Sequence, residues 1–524
     1  MQKITFDISK LSEYREDNCL EVKKAANGLP HSIWETYSAF ANSDGGLIIL
    51  GIEEDKNHQL HITGVNNPDE LVRDFWNTIN NPQKISLNIL TDKMVSVRTV
   101  EDKQIVVIEI PRAEREMRPV YVGTDPVRGT YRRNHEGDFH CTREQVSAFF
   151  RDASPVSVDT KVLTEMDYSV FCTDTIKDYR MRFNAKHANH VWSKLEDELF
   201  LRRIGAMGLS TEDNKIHPTI AGLLMFGYEY EIVREFSGYF LDYQERLDPT
   251  MRWTHRVTSS SGDWSGNLFD FYYRIINRLT SDLPVPFRLD GMTRVDDTKL
   301  HEAVREALLN TLVHADYYGR QGTVVIKGLD RMSFANPGDM RISLKTALEG
   351  GVSDPRNTTL MKMFGLIGVG ERAGSGVPSI VSVWSDATGV VPTYKQSFAP
   401  ERVEFIIKMS SLSDTSADNL PVANTMGTTE KTTEKTTEKT TEKTTEKTTE
   451  KTTEKTTEKT TEKTTEKILC LIKENPQITY RELAETLGLT EDGIFWNVKQ
   501  LRKRGLLRRI GGRKEGYWEI VEKE

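Results

Sequence analysis

The chain has 524 residues, 37% hydrophobic and 28% charged, with a formal net charge of −8; that length predicts two to four domains, and the charge gives no attraction of the whole protein to nucleic acid while leaving room for a local basic surface. Four scattered cysteines, Cys19, Cys141, Cys172 and Cys470, form no Cys-x-x-Cys pair, which argues against a zinc ribbon and a disulfide framework. The first residues, MQKITFDISK, lack an apolar signal core, and apolar runs such as LIIL at 47–50 are strand-sized, so a cytoplasmic protein without a membrane span is expected.

Near the N-terminus, LEVKK reads as a short strand whose period of two puts Glu21 and Lys23 on one face. A helix is predicted over Ser32–Asn42, closed by the turn NSDGG before the strand LIILGI, and KQIVVIEI is a further strand. The combination of Glu21-Val22-Lys23, AFANSDGG, a strand ending Gly51-Ile52-Glu53-Glu54, RPVY at 118–121 and Gly129, Tyr131 and Arg133 in GTYRR resembles the Schlafen AlbA_2 domain over 10–150. The resemblance implies nucleic-acid binding, to DNA or RNA. In the Schlafen branch it implies RNA cleavage by three carboxylates, two at an E-x4-E spacing, here Glu16 and Glu21, and a third after the glycine-led strand, here Glu53 or Glu54. Clustered carboxylates hold Mg2+ or Mn2+ and activate water, and Lys23 would polarise the scissile phosphate. The third position is Glu where the nucleases often have Asp. The competing reading is of acids at a strand edge, with Lys23 and Lys24 touching backbone phosphates.

Residues 160–290 read as mainly helical, with HPTIAGLLMFG as a helix leading into a strand. A helix follows in DDTKLHEAVREALLNTLVHADYY, then strands in GTVVIKG, RMSFANPG and RVEFIIKM. That helix sets Glu306, Asn310 and His314 four apart on one face. They form either a polar seam against solvent or sheet, or a row of ligands for something held against the helix. EALLNTLVHADY, FANPGDM and GVGERAGSGVPSI resemble the N-box and two glycine boxes of the GHKL ATPases, the group of gyrase and the histidine kinases. PTIAGLLMFG and Ser353-Asp354-Pro355-Arg356-Asn357 match the ATP-binding domain that follows AlbA_2 in bacterial proteins.

This second resemblance implies ATP with Mg2+. Asn310 would hold the metal, and Glu306 would accept a proton from the attacking water. His314, Asn336 and Gly338 would line the nucleotide. Gly370, Gly374 and Gly376 would let backbone N–H groups approach phosphate oxygens, beside Arg372 as a counter-charge. The first box departs from the pattern, because Asn336-Pro337-Gly338 replaces Asp followed by G-x-G, with Asp330 before it and Asp339 after. No Gly-Lys pair occurs, so a P-loop and motor activity are not expected.

From 428 to 467 the tetrad TTEK repeats ten times. A helix would place Glu over Glu and Lys over Lys at i,i+4, and no apolar residue exists to bury, so this tandem repeat reads as a solvated tether beginning near Ser410. As a coil, its forty residues reach roughly 30–40 Å.

Beyond it, Ile468, Leu471 and Ile472 start an apolar face, Thr479 and Glu482 form a capping box, Gly488 ends the second helix, and Ile494, Val498 and Leu501 mark a third. LLRRIG and GYWEI are strands, and the whole resembles a winged helix-turn-helix. Lys499, Arg502, Lys503, Arg504, Arg508, Arg509, Arg513 and Lys514 occur between 497 and 514 without an acidic residue. They suit phosphates, with Asn497 and Gln500 as base readers.

The expected fold class is thus α/β (α+β) in five parts: an AlbA_2 domain at 1–150, a helical connector at 151–290, a GHKL-like sandwich at 291–409, a linker at 410–467 and a winged helix at 468–524. The expected function is a nucleotide-switched DNA-binding transcription regulator, assembling as a dimer or larger homo-oligomer. The alternatives are a metal-dependent Schlafen-type nuclease in phage defence and an interaction protein that docks a partner through its winged helix.

Overall fold

Side chains alternate between the two faces of a strand, and in the N-terminal region both faces are covered. The computed structural model describes residues 19–26, 28–134, 137–285, 289–290, 293–294, 297–370 and 374–409, and toward the C-terminus 468, 471–473, 475–476, 478–487, 494, 498, 501, 507–510 and 517–520. They belong to two units, Met1–Asn424 and Thr425–Glu524. In the first unit a four-stranded sheet runs in the order Leu20–Lys23, Gly46–Leu50, Lys103–Ile110, Val95–Val100. The first pair is parallel and the others antiparallel. Ile48, Leu50, Val106 and Ile108 pack with Tyr37 and Phe40 of helix Ile33–Asn42 and Phe75 of helix Pro68–Ile79. Leu47, Ile49, Ile105 and Val107 join Leu20, Val22 and Ile52 on the opposite side. GLIIL is therefore buried at every position.

One buried amide joins the distant motif segments. Asn42 Nδ2 donates to the Val120 carbonyl at 2.7 Å and the Tyr131 carbonyl at 3.1 Å, and Asn42 Oδ1 accepts from the Val120 N–H at 2.9 Å. Ser38 Oγ also donates to the Val120 carbonyl, at 2.7 Å. Buried backbone groups need such partners, so AFAN, RPVY and GTYRR are structurally interdependent.

The central sheet has six strands, ordered His255–Thr258, Leu241–Arg246, Thr323–Gly328, Arg331–Pro337, Glu401–Lys408, Thr393–Phe398. Only the pairing of Leu241–Arg246 with Thr323–Gly328 is parallel. Its first two strands come from the stretch expected to be a mainly helical connector. LDYQER conceals a strand because its polar residues are buried but mutually satisfied: Arg256 donates to both Asp242 oxygens at 2.8 and 2.9 Å, and Gln244 donates to Asp242 at 2.6 Å. A second difference concerns HPTIAGLLMFG, where the strand precedes the helix. Ile216–Pro218 pairs with Met207–Leu209, and Thr219 then caps helix Ile220–Phe226 by accepting from the Gly222 N–H at 3.1 Å. Every residue of that helix is buried, so no polar face marks its period.

Helix Lys299–Val313 contacts helices Leu268–Thr280, Thr358–Leu366 and Gly376–Thr388 and strand Arg331–Pro337. Its Val304, Leu308, Leu309, Leu312 and Val313 are fully buried. Trp384, also fully buried, ties helix Gly376–Thr388 to the sheet by donating its indole N–H to the Lys408 carbonyl at 2.7 Å.

In the second unit, Thr479 accepts from the Glu482 N–H at 3.3 Å while Glu482 accepts from the Thr479 N–H at 2.8 Å, the reciprocal box that starts helix Tyr480–Leu487. Strands Leu507–Ile510 and Tyr517–Ile520 pair antiparallel. Ile468, Ile472, Leu483, Ile494, Val498, Leu501 and Trp518 form the core. The linker at 410–467 lies outside the described residues. Among the described residues no helix is long and apolar enough to cross a membrane.

Replacing Trp384 by Ala removes a fully buried ring and leaves a cavity, which typically costs about 3–5 kcal/mol. Urea unfolding of the chain is expected to show a loss of that size for the first unit's transition; a loss no larger than that of a surface substitution would mean that this helix is not anchored through Trp384.

Candidate functional site

Three neighbouring turns of helix Lys299–Val313 expose one polar edge. Glu306, Asn310 and His314, the last at the helix C-cap, are half-buried, while the residues between them are mostly buried. All three line one cavity of about 1050 Å³, a figure that includes the part open to solvent. The opposite side is sheet. Phe334 stands across from Phe405, and Phe405 from Tyr394, on three adjacent strands. Their ring centroids lie 6.3 and 4.6 Å apart, and all three rings line the cavity with Asn336 and Val403.

The helix is pinned at its C-terminal end. Asn357 Nδ2 donates to the Val313 and Ala315 carbonyls at 3.1 and 2.9 Å, and Arg356 Nε donates to the His314 carbonyl at 3.1 Å. A guanidinium there satisfies an orphan carbonyl and complements the negative helix end. The Arg356-Asn357 pair thus fixes the polar edge in register. Burial, reinforced by the Arg356 and Arg341 guanidinium groups, pushes the His314 imidazole from 6.5 down to about 4. The ring is neutral at pH 7.

Two glycines allow the closing loop to meet Glu306. Gly376 begins helix Gly376–Thr388, and a Cβ there would collide with Glu306 Oε1. Gly370 has φ +76°, and a Cβ would strike Leu309 and lie 3.4 Å from Glu306 Oε2. The Glu306 carboxylate therefore lies close to both glycine segments, near the N-terminus of a thirteen-residue helix. Gly374 lines the same cavity, and its carbonyl accepts from the Gly351 N–H at 3.1 Å.

The expected site residues divide accordingly. Glu306, Asn310, His314, Asn336, Gly374 and Gly376 share the cavity wall. Gly338 is not among the lining residues: at φ +99° it turns the chain behind the wall, where a Cβ would lie 3.0 Å from Arg356 and Asp316. Arg372 lies outside the described residues. Asp330 is exposed and paired with Arg331. Asp339 reaches the cavity, but its carboxylate accepts from Arg132 and Gln396. Sequence reasoning missed Tyr394, Phe405, Phe334 and Arg341; the i,i+2 pairs Phe334/Asn336 and Val403/Phe405, each on one face of its strand, were the available signal.

The N-terminal acids that are described each have a basic partner. Glu21 is buried and held by Lys23 at 2.7 Å and Arg133 at 2.9 Å. Arg133 in turn pairs with Asp138 and lies over the Phe40 ring. Glu53 pairs with Lys24 at 2.8 Å and Glu54 with His58 at 3.1 Å. Glu16 lies outside the described residues. No group of three or more His, Cys, Asp or Glu that could hold a metal occurs among those described. Glu21 and Lys23 thus form an ion pair on the edge strand of the sheet.

In the C-terminal unit Arg508 is exposed and pairs with Glu519 of the facing strand at 2.7 Å. Arg509 lies on the same strand. Asn497, Lys499, Gln500, Arg502, Lys503, Arg504, Arg513 and Lys514 lie outside the described residues.

Residues 16–142 match the family "Schlafen, AlbA_2". The chain carries a Schlafen AlbA_2 domain. Behind it, residues 147–242 match a domain of unknown function, DUF8451, and residues 325–405 match the family "Putative ATP-dependent DNA helicase recG C-terminal". Residues 461–508 match "Winged helix-turn-helix DNA-binding". The chain therefore combines the AlbA_2 domain with an ATPase-like domain and a DNA-binding winged helix. No curated protein matches it. Among solved structures, the DIP2311 protein of Corynebacterium diphtheriae is 17% identical, with 96% of this chain and 92% of that one covered and a TM-score of 0.37. The N-terminal domain of a RecG-related protein from Nitrosomonas europaea is 25% identical over 26% of this chain and 90% of that one, with a TM-score of 0.21.

Two outcomes follow from this geometry. A methyl group at position 376 must displace the Glu306 carboxylate, so Gly376→Ala is expected to perturb the cavity while costing only about 1–3 kcal/mol in urea unfolding; unchanged ligand affinity in that variant would mean the loop does not bear on the site. The second concerns pH. In the unfolded chain His314 takes up a proton below about 6.5, but in the fold only below about 4. Its contribution is fully present above 6.5 and is lost as the pH falls toward 4. Stability measured at pH 7 and pH 5 is expected to fall less in His314→Gln than in the wild type; an equal fall would place the ring in a solvated environment.

Proposed function

We propose that the chain is a nucleotide-controlled DNA-binding regulator whose central cavity takes a nucleoside triphosphate with Mg2+. The observation that carries the reading is the shared wall of Glu306, Asn310, Gly374 and Gly376, facing a sheet floor of aromatic rings. A polar helix edge, a glycine loop too tight for a Cβ and a flat apolar floor suit the phosphates, the metal and the base of a nucleotide respectively.

The donor set fits the metal. Mg2+ is commonly held by one or two protein oxygens and completed by substrate phosphates and water. Asn310 supplies an amide oxygen for it, with Glu306 one turn earlier on the same cavity wall. When bound, the ion neutralises phosphate charge. The protein's own contribution is positional. Asn310 orients the phosphate end, Gly374 and Gly376 allow backbone approach, and Tyr394 and Phe405 offer faces for a base. Glu306 is the candidate acceptor of a proton from water. The neutral His314 ring can donate one hydrogen bond and accept another without adding charge.

The AlbA_2 domain and the winged helix supply the nucleic-acid contacts in this reading. The basic residues between 497 and 514 would neutralise phosphates, so affinity for duplex DNA should fall steeply with salt.

Calorimetry with Mg2+ and a non-hydrolysable ATP analogue is expected to show binding by the wild type and at least about tenfold weaker binding by Asn310→Ala, the effect of one lost charge-assisted contact. Glu306→Gln should retain binding and slow any hydrolysis by about 10²–10⁴-fold. Wild-type protein that binds no nucleotide, or binds equally well without the Asn310 amide, would defeat the reading.

A further inference from the structure

One rim of the cavity is held from outside by the AlbA_2 domain. Asp339, Met340, Arg341 and Asp354 line the cavity, and each is gripped from behind by an arginine of the segment 112–132. Arg132 donates to the carboxylates of Asp339 and Glu401. Arg118 places Nη1 3.6 Å from Asp339 and donates from Nη2 to the Arg341 carbonyl at 3.2 Å. Arg112 donates to the Met340 carbonyl at 2.6 Å, and Arg115 pairs with Asp354 at 2.9 Å. The grip is almost dry: the Arg118 and Arg132 side chains are 3% and 4% exposed, and Arg132 lies over the rings of Phe149 and Phe398 at 4.4 and 4.7 Å.

Such a cluster is sensitive to small displacements. Three guanidinium groups converge on one carboxylate. Burial, then repulsion from Arg112 and Arg132, pushes the Arg118 guanidinium down to about 10. Although burial alone would push it up, Arg132, Arg112 and Arg118 hold the Asp339 carboxyl below its ordinary value. Arg118 Nε and Nη1 and Arg132 Nε are buried without a hydrogen-bond partner. Like charges at this spacing are tolerated only while Asp339 stands among them, because an uncompensated buried charge is strongly destabilising. The position of the rim and the docking of the AlbA_2 domain therefore depend on each other.

We infer that Arg112, Arg115, Arg118 and Arg132 are positioning residues for the cavity, and that occupancy of the cavity and docking of the AlbA_2 domain are thermodynamically linked. A nucleotide that fixes the segment Asp339–Ile342 tightens the arginine grip, and release of the AlbA_2 domain lets that segment relax and weakens the nucleotide. The inference rests on the nucleotide reading of the cavity. It adds a route by which the nucleic-acid domain senses the ligand, since linkage acts equally in both directions.

The test is hydrogen exchange by mass spectrometry on the full chain, with and without Mg2+ and a non-hydrolysable ATP analogue, binding being measured by calorimetry on the same sample. Slower exchange across 112–133 in the bound state is the expected result. Binding with unchanged exchange there overturns the linkage alone; absence of binding overturns the nucleotide reading and the linkage with it. Two substitutions at the less deeply buried arginines, 12% and 14% exposed, supply the reverse direction. Arg112→Ala and Arg115→Ala should each weaken the analogue by roughly fivefold or more, and Arg115→Lys, which keeps a cation beside Asp354, should recover most of that loss. Wild-type affinity in both alanine variants would overturn the proposal.

Discussion

The first unit depends on the packing of a single helix. Lys299–Val313 is enclosed by three helices and a strand, and its Glu306, Asn310 and His314 lie on an edge facing the cavity. Because Arg356 and Asn357 hold its last carbonyls, the helix cannot slide or fray without exposing buried polar groups. Gly370 and Gly376 press on Glu306 from the loop side. The cavity is the volume between this fixed edge and the sheet floor of Phe334, Phe405 and Tyr394, so its chemistry follows from where the helix is anchored.

The same economy of contacts links the domains. Residues that read as nucleic-acid motifs serve, in this fold, to hold parts of the chain together. Asn42 stitches two distant backbone segments, Arg133 secures Glu21, and Arg118 and Arg132 close on Asp339. Both oxygens of Glu21 are engaged, by Lys23 and Arg133. Asp339, the acid nearest the first glycine box, is turned toward the AlbA_2 domain, and Asn336 is the buried polar group that the box presents to the cavity. Any base recognition at that end falls to an amide and to aromatic faces.

Much of this was legible in the sequence where the pattern is local. The period of 3.6 in Lys299–Val313, the all-apolar GLIIL and the Thr479–Glu482 box each announce an element through neighbouring residues. The mixed α/β class followed from them, whereas the AlbA_2 and ATPase-like resemblances rested on short motifs such as AFANSDGG and EALLNTLVHADY. What was hidden depends on partners far along the chain. LDYQER does not read as a central strand until Arg256 is seen to neutralise Asp242. HPTIAGLLMFG shows no periodicity because its helix is buried all round, so the order of strand and helix was reversed. The arginine cluster joins residues some two hundred positions apart, and no local spacing signals it. Gly338 looked like a ligand contact but serves a turn behind the wall, since a glycine in a motif does not reveal which surface it faces.

The claim on which the account stands is that the polar edge of Lys299–Val313 meets the phosphate end of a nucleotide. A crystal structure of the chain with Mg2+ and a non-hydrolysable ATP analogue tests it most directly. The account predicts phosphate density between Asn310 and the Gly374–Gly376 loop, with the base against Tyr394 and Phe405. Density elsewhere on the molecule, or an empty cavity at saturating analogue, would contradict it.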